Sequence, residues 1–117
     1  MLLAHKFAEA LQNKLNDPEG DQQKRFPGFL YTLEVESGKK FDKIVISYTT
    51  DLDREQGRQG QRSVHAFVER ETGALIKAAG WKAPAKLKSG WATKYNLDTE
   101  FEKALAVADP YGGYLYQ

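Results

Sequence analysis

The stretch "SVHAFVERETGALIKAA", residues 63–79, reads as two β-strands folded about a turn. "SVHAFVE" (63–69) is rich in β-branched and aromatic residues, and "ALIKAA" (74–79) follows the turn-forming "RETG". A type I turn with Gly73 in the left-handed region puts Arg70 opposite Ala74. From that register Val68 faces Ile76 and Ala66 faces Ala78, a small apolar set for the core. The other face sets Phe67 across from Lys77 and His65 across from Ala79. An imidazole, an aromatic ring and an ammonium then come within reach of one another. A slip of one residue would move them apart.

Working outward, "FLYTLEVE" (29–36) alternates, with Phe29, Tyr31, Leu33 and Val35 on one face. After "SGKK", the apolar, β-branched "KIVISYT" (43–49) makes its hairpin partner. At the N-terminus Leu3, Phe7, Leu11 and Leu15 recur every four residues beside Ala4, Ala8 and Ala10. This predicts a helix over 2–16, ended by Pro18 and Gly20, with His5 on its surface. Near the other end "LDTEFEKALAVAD" predicts a second helix, with Thr99 and Glu102 at capping-box spacing. Its buried stripe is Phe101, Ala104, Leu105 and Ala108, and "YGGYLYQ" reads as a short last strand. The expected fold class is α+β: an antiparallel sheet of four to five strands with an N-terminal and a C-terminal helix, in the order α-β-β-β-β-α-β.

Length and composition agree with one domain over residues 1–117. The chain can bury one modest core, and 41% apolar with 28% charged residues is ordinary for a globular protein. Its apolar runs fall far short of the roughly 20 residues that cross a bilayer, so no membrane partner is expected. The absence of cysteine removes disulfides, thiolate nucleophiles and Cys-based zinc sites. With 17 basic and 16 acidic residues, anion binding must come from local segregation of charge. Segregation is present. Lys77, Lys82, Lys86, Lys88 and Lys94 lie between Thr72 and Leu97 with no acid among them, and Arg58 and Arg62 share the acid-free stretch 56–68 with His65.

The segment "IKAAGWKAPAKLKSGW" (76–91) repeats a Gly-Trp pair ten residues apart, and Pro84 keeps it from becoming a helix. Two readings stand side by side. In one, the tryptophans plug the edge of the core and the lysines are simply solvated. In the other, ammonium groups meet phosphate while indole faces stack on a base. The second reading makes His65, Phe67, Lys77, Trp81, Lys82 and Lys86 the lining of a site, with Arg58 or Arg62 closing over it as bidentate phosphate partners.

Catalytic signatures are missing: there is no phosphate loop, G-x-G-x-x-G, G-x-S-x-G or paired histidine. Asp51, Asp53 and Glu55 alternate and could hold Mg²⁺ if the preceding strand ran on through them. His65 has only Glu69 nearby as a carboxylate partner. No catalytic residue, metal site or cofactor is therefore assigned.

"RSVHAFVERETGALIKAAGWKAPAK", together with Gly112–Tyr116 "GGYLY", resembles a group of small proteins of tailed bacteriophages. The likeness covers residues 62–86 and the C-terminal tail, and "LKSGWAT" departs from it as an insertion, leaving Trp91 outside the shared pattern. It implies a setting in the cytoplasm of an infected bacterium and brings no catalytic residues. The expectation is a non-enzymatic phage accessory module for a small phosphorylated ligand, a nucleotide, which could sequester a host signalling nucleotide and counter antiviral defence. One alternative is single-stranded nucleic acid bound by the same residues. The other is inhibition of a host enzyme through exposed Tyr111, Tyr114 and Tyr116. An exposed last strand or tail would also permit a homodimer with the site at its interface.

Overall fold

The computed structural model describes residues 3–116. The predicted first residue of the N-terminal helix, residue 2, and the end of the C-terminal segment, Gln117, lie outside them. Helix α1 (Leu3–Asn16) buries Ala4, Phe7, Ala8, Leu11 and Leu15, the stripe that the four-residue spacing lays along one face. A single turn, α2 (Asp21–Arg25), leads into the hairpin of β1 (Leu30–Ser37) and β2 (Phe41–Thr49), paired from Leu30–Thr49 to Ser37–Asp42. Tyr31, Leu33, Ile44 and Ile46 pack with the α1 stripe in one cluster. No helix among the described residues is long and apolar enough to cross a membrane.

After β2 the chain forms the short α3 (Asp51–Glu55), not a continuing strand. Thr50 causes this. Its hydroxyl accepts the Asp53 N–H at 3.2 Å, while the Asp53 carboxylate accepts the Thr50 N–H at 3.0 Å. Asp51, Asp53 and Glu55 thus ride on a helical turn, and the Mg²⁺ site conditional on a strand does not form. Among the described residues, no group of three or more His, Asp or Glu side chains could hold a metal ion.

Strands β3 (Ser63–Glu69), β4 (Ala74–Ile76), β5 (Lys86–Leu87), β6 (Gly90–Trp91) and β7 (Thr93–Asn96) follow, then α4 (Phe101–Val107). The main sheet runs β1-β2-β3-β4-β7 with every pair antiparallel, and β5 and β6 form a small separate hairpin. The class is α+β, with five strands and a helix near each end of the chain. The fifth strand comes from β7, ahead of α4. The segment predicted as the last strand instead makes a 3-10 turn, Gly113–Leu115. Asp109 captures the backbone donors there: its carboxylate accepts the N–H groups of Tyr111, Gly113 and Tyr114. Thr99 does not cap α4. Glu100 stands at the N-cap, and its carboxylate accepts the Asn96 N–H at 3.1 Å.

The turn between β3 and β4 holds four residues, one more than predicted. Gly73 does take the left-handed conformation, at φ +82°. Its N–H bonds the Glu69 carbonyl at 2.8 Å, and the Arg70 N–H is drawn away to the Lys40 carbonyl at 2.9 Å. Phe67 therefore pairs with Ile76 and Val68 with Leu75. The predicted pairs Val68–Ile76 and Phe67–Lys77 are corrected by one residue, which puts Lys77 out of step with Phe67. A bulge adds a second correction. Ile44 pairs with Ala66 and Val45 with Val64, leaving His65 as the extra residue and breaking its alternation with Phe67.

His65 is 5% exposed, and its Nε2 lies 2.7 Å from the Tyr114 hydroxyl. Tyr114 is buried too, so it is not the exposed anchor expected of the tail. Burial lowers the imidazole pKa to about 4, against the opposing influence of Asp109 and the Pro110 backbone. Burial also raises the Tyr114 phenol, which stays protonated.

The exposed edge of the sheet at β1 is partly blocked from within. The Asn16 amide bonds both the N–H and the carbonyl of Tyr31 at 2.8 Å, and Gln12 accepts the Leu33 N–H at 2.8 Å. With the tail in a 3-10 turn as well, the strand-mediated homodimer has no last strand to use. Lys14 joins the two helices: its ammonium donates to the carbonyls of Leu105, Ala106 and Ala108 at 2.8, 3.1 and 2.8 Å. These carbonyls lie at and just past the end of α4, where a cation is favoured, and that of Leu105 also accepts the Ala108 N–H at 3.3 Å. Phe7 and Phe101 meet edge-to-face at 5.6 Å beside them.

Lys14→Met keeps the apolar stem and removes the three bonds, and should cost about 1–3 kcal/mol in urea unfolding. A loss under 0.5 kcal/mol would mean that water serves those carbonyls equally well. A pH dependence follows from His65. Its folded pKa lies below the unfolded value, so the unfolded chain binds the extra proton and stability falls as pH drops from about 6.5 to about 4. Between pH 7.5 and 4.5 this single group should remove about 2–3 kcal/mol. In His65→Gln the drop over that interval should be smaller by this amount. Equal drops in both proteins would contradict a neutral, buried imidazole.

Candidate functional site

Strand β3 is buried on both sides, which a single helical layer cannot explain. Val45, Phe67 and Ile76 are 1%, 3% and 0% exposed, yet stand outside the cluster that packs on the helices. Their cover is the connection between β4 and β7, residues 77–92, which folds as a strap over the outer face. Backbone bonds hold it compact: Lys77 N–H to the Ala92 carbonyl, Ala85 N–H to the Lys77 carbonyl, and Ala92 N–H to the Ala85 carbonyl. Pro84 bridges to Ala78, and β5 and β6 carry Trp91 back onto Phe41, edge-to-face at 5.0 Å. Phe41 in turn meets Phe67 at 6.4 Å.

Beside the strap, the outer face opens into a groove of about 330 Å³. It is lined by Glu36 to Phe41 from the β1–β2 hairpin, Lys43 of β2, Phe67 of β3 and Lys82 of the strap. Four lysines, Lys39, Lys40, Lys43 and Lys82, and one acidic residue, Glu36, are among its lining. Among the described residues Lys39, Lys40 and Lys82 are in no ion pair.

Cations and indoles meet on both sides of this groove. Lys43 Nζ lies 4.4 Å and the Arg62 guanidinium carbon 5.5 Å from the Trp81 ring centre. Glu36 ties those two cations together, 2.7 Å from Arg62 and 3.6 Å from Lys43. The Arg62 hydrogen bond holds the Glu36 carboxyl below its usual range, so it stays ionised. At Trp91, Lys40 and Lys86 approach the ring at 5.7 and 5.3 Å. Trp81 is 42% exposed, whereas Trp91 is half-buried against Phe41.

Of the eight residues singled out in the sequence, Phe67 and Lys82 line the groove, and Arg62, Trp81 and Lys86 border it. Three lie elsewhere. His65 is buried against Tyr114 on the side of the C-terminal tail, and Lys77 extends over the Tyr116 ring at 4.2 Å. Arg58 is held by Asp53 at 3.4 Å. The register shift and the bulge account for the first two, and the capped turn at Thr50 for the third.

Glu36, Lys39, Lys40 and Lys43 were missed. A signal existed: Phe41, Lys43 and Val45 alternate along β2 with a charge among apolar neighbours, beside the lysine pair of the turn. A lysine on a strand whose both faces are apolar points to a second covered face.

No curated protein and no solved structure matches this chain. A family model does match, over residues 2–117, so nearly the whole chain is the family's domain. This chain belongs to the family of unknown function DUF7717.

Proposed function

We propose that this protein is a non-enzymatic binding module for a small phosphorylated ligand of the nucleotide class. The observation that carries this reading is the groove: four lysines and one carboxylate line about 330 Å³, with Phe41 and Phe67 at its wall. That volume suits one nucleotide-sized molecule, and pockets of this kind pair an apolar wall with a few placed polar groups. Lysines on opposite rims, from the β1–β2 turn and from the strap, can address a phosphate together. Trp81, exposed at one end, offers an indole face to a base. No residue pair suited to a nucleophile and its base lines the groove, and the one histidine expected there is buried elsewhere. In a phage-infected bacterium such a module could act by sequestering a host signalling nucleotide.

The test is thermal unfolding in the presence of linear and cyclic nucleotides at about 100 times their dissociation constant. Bound ligand should add about 2.7 kcal/mol, a rise of several degrees, for at least one of them. Lys40→Ala/Lys82→Ala should abolish the rise, and Trp81→Ala should weaken it, each with cooperative unfolding retained because these side chains are exposed. A flat response across the nucleotides would refute the reading. Tight binding of a single-stranded oligonucleotide that collapses with added salt would replace it with a nucleic-acid function.

A further inference from the structure

Glu36 stands where a phosphate of the proposed ligand would stand. It is the one carboxylate among the groove residues, and it bridges the two cations that cover Trp81. Its contacts are those a phosphate oxygen would make: a 2.7 Å bond from the Arg62 guanidinium and a 3.6 Å approach from the Lys43 ammonium. We infer that Glu36 is an internal competitor for the ligand's phosphate, so that the groove takes a terminal, doubly charged phosphate in preference to a singly charged phosphodiester. This rests on the phosphate-binding reading of the groove.

The ligand's phosphate and the Glu36 carboxylate exchange electrostatically at Arg62 and Lys43. The Arg62 and Glu36 side chains are 45% and 46% exposed, and exposed ion pairs of this sort are weak, so the carboxylate can be displaced. A phosphodiester carries one negative charge. On entering it would replace one charge by one charge and gain nothing at Arg62 and Lys43. A terminal phosphate near neutral pH carries close to two charges and three acceptor oxygens. It can take the Arg62 fork side by side and still hold Lys43, leaving a net gain after Glu36 has moved to solvent. Lys39, Lys40 and Lys82 then add attraction that scales with ligand charge. The carboxylate thus sets a threshold that dianionic ends cross and diesters do not, the ends of nucleotides as against the backbone of nucleic acid.

Adenosine 5′-monophosphate and adenosine 3′,5′-cyclic monophosphate share a base and differ in this charge, which makes them the probes. Each is titrated into the wild-type chain and into Glu36→Gln, followed by tryptophan fluorescence and by calorimetry, with Trp81→Phe identifying which indole reports. The wild type should bind the 5′-monophosphate at least tenfold more tightly than the cyclic diester. Glu36→Gln should bind the cyclic diester at least tenfold more tightly than the wild type and the 5′-monophosphate more tightly by a smaller factor, narrowing the preference between them. Because Glu36 is exposed, circular dichroism should show the variant folded.

If Glu36→Gln binds the 5′-monophosphate no better or more weakly, Glu36 positions the cations and the inference fails while the groove's function stands. Equal wild-type affinity for the two probes also overturns it. If neither protein binds either probe, and the wider set of nucleotides is likewise silent, the groove reading falls and takes the inference with it.

Discussion

A single backbone contact, from the Gly73 N–H to the Glu69 carbonyl, sets what each face of this molecule presents. It closes a four-residue turn that only a residue tolerant of positive φ completes without strain. Substituting Gly73 would also press a Cβ to 3.1 Å from both the Asn96 side chain and Leu3. Because side chains alternate along a strand, the turn's length decides which of them share a surface. With four residues, Phe67 and Ile76 share the outer face while Val68 and Leu75 share the helix-facing one. Lys77 then belongs with the tail, and the strap leaves the sheet directly after Ile76, free to fold back over Phe67.

The two layers built on the sheet differ in chemistry. On the helical side several polar groups are matched: Lys14 serves the end of α4, and Asn16 and Gln12 serve the edge of β1, while Asp42 Oδ1 and His65 Nδ1 are buried without a hydrogen-bond partner. His65 lies on that side as a neutral structural ring. On the outer side the cover is thin, made of a strap rich in lysine and small residues, with Trp91 packed as its anchor and Trp81 left half in solvent. Charge that is scattered in sequence, at 36–43, 62 and 82–86, is brought together there. An almost neutral chain thereby holds a basic groove without a basic surface as a whole.

Much of this was legible in the sequence. The α1 stripe, the β1–β2 hairpin and the limits of β3 follow from periodicities that burial enforces, so they survive in the structure nearly residue for residue. Within the lysine-rich segment, Trp91 proved to be the packing half of the pair. What failed depended on single-residue geometry. The turn has four residues rather than three, closed by Gly73 and Glu69 while the Arg70 N–H is drawn off to Lys40 across the sheet, and a bulge falls at His65 where the local pattern reads as plain alternation. Those two shifts place Lys77 and His65 away from the groove. The further groove residues, Glu36 at the end of β1, Lys39 and Lys40 in the turn and Lys43 on β2, were not singled out because only the strap, far away in sequence, folds over the face they share.

The most direct test of the account is a backbone amide NMR titration with adenosine 5′-monophosphate. The account predicts that the perturbed resonances cluster at Lys39 to Lys43, at Arg62 and at Trp81–Lys82, with His65, Lys77 and the Tyr114 segment unmoved. Perturbations centred on His65, Lys77 and the tail, with the β1–β2 turn silent, would contradict it.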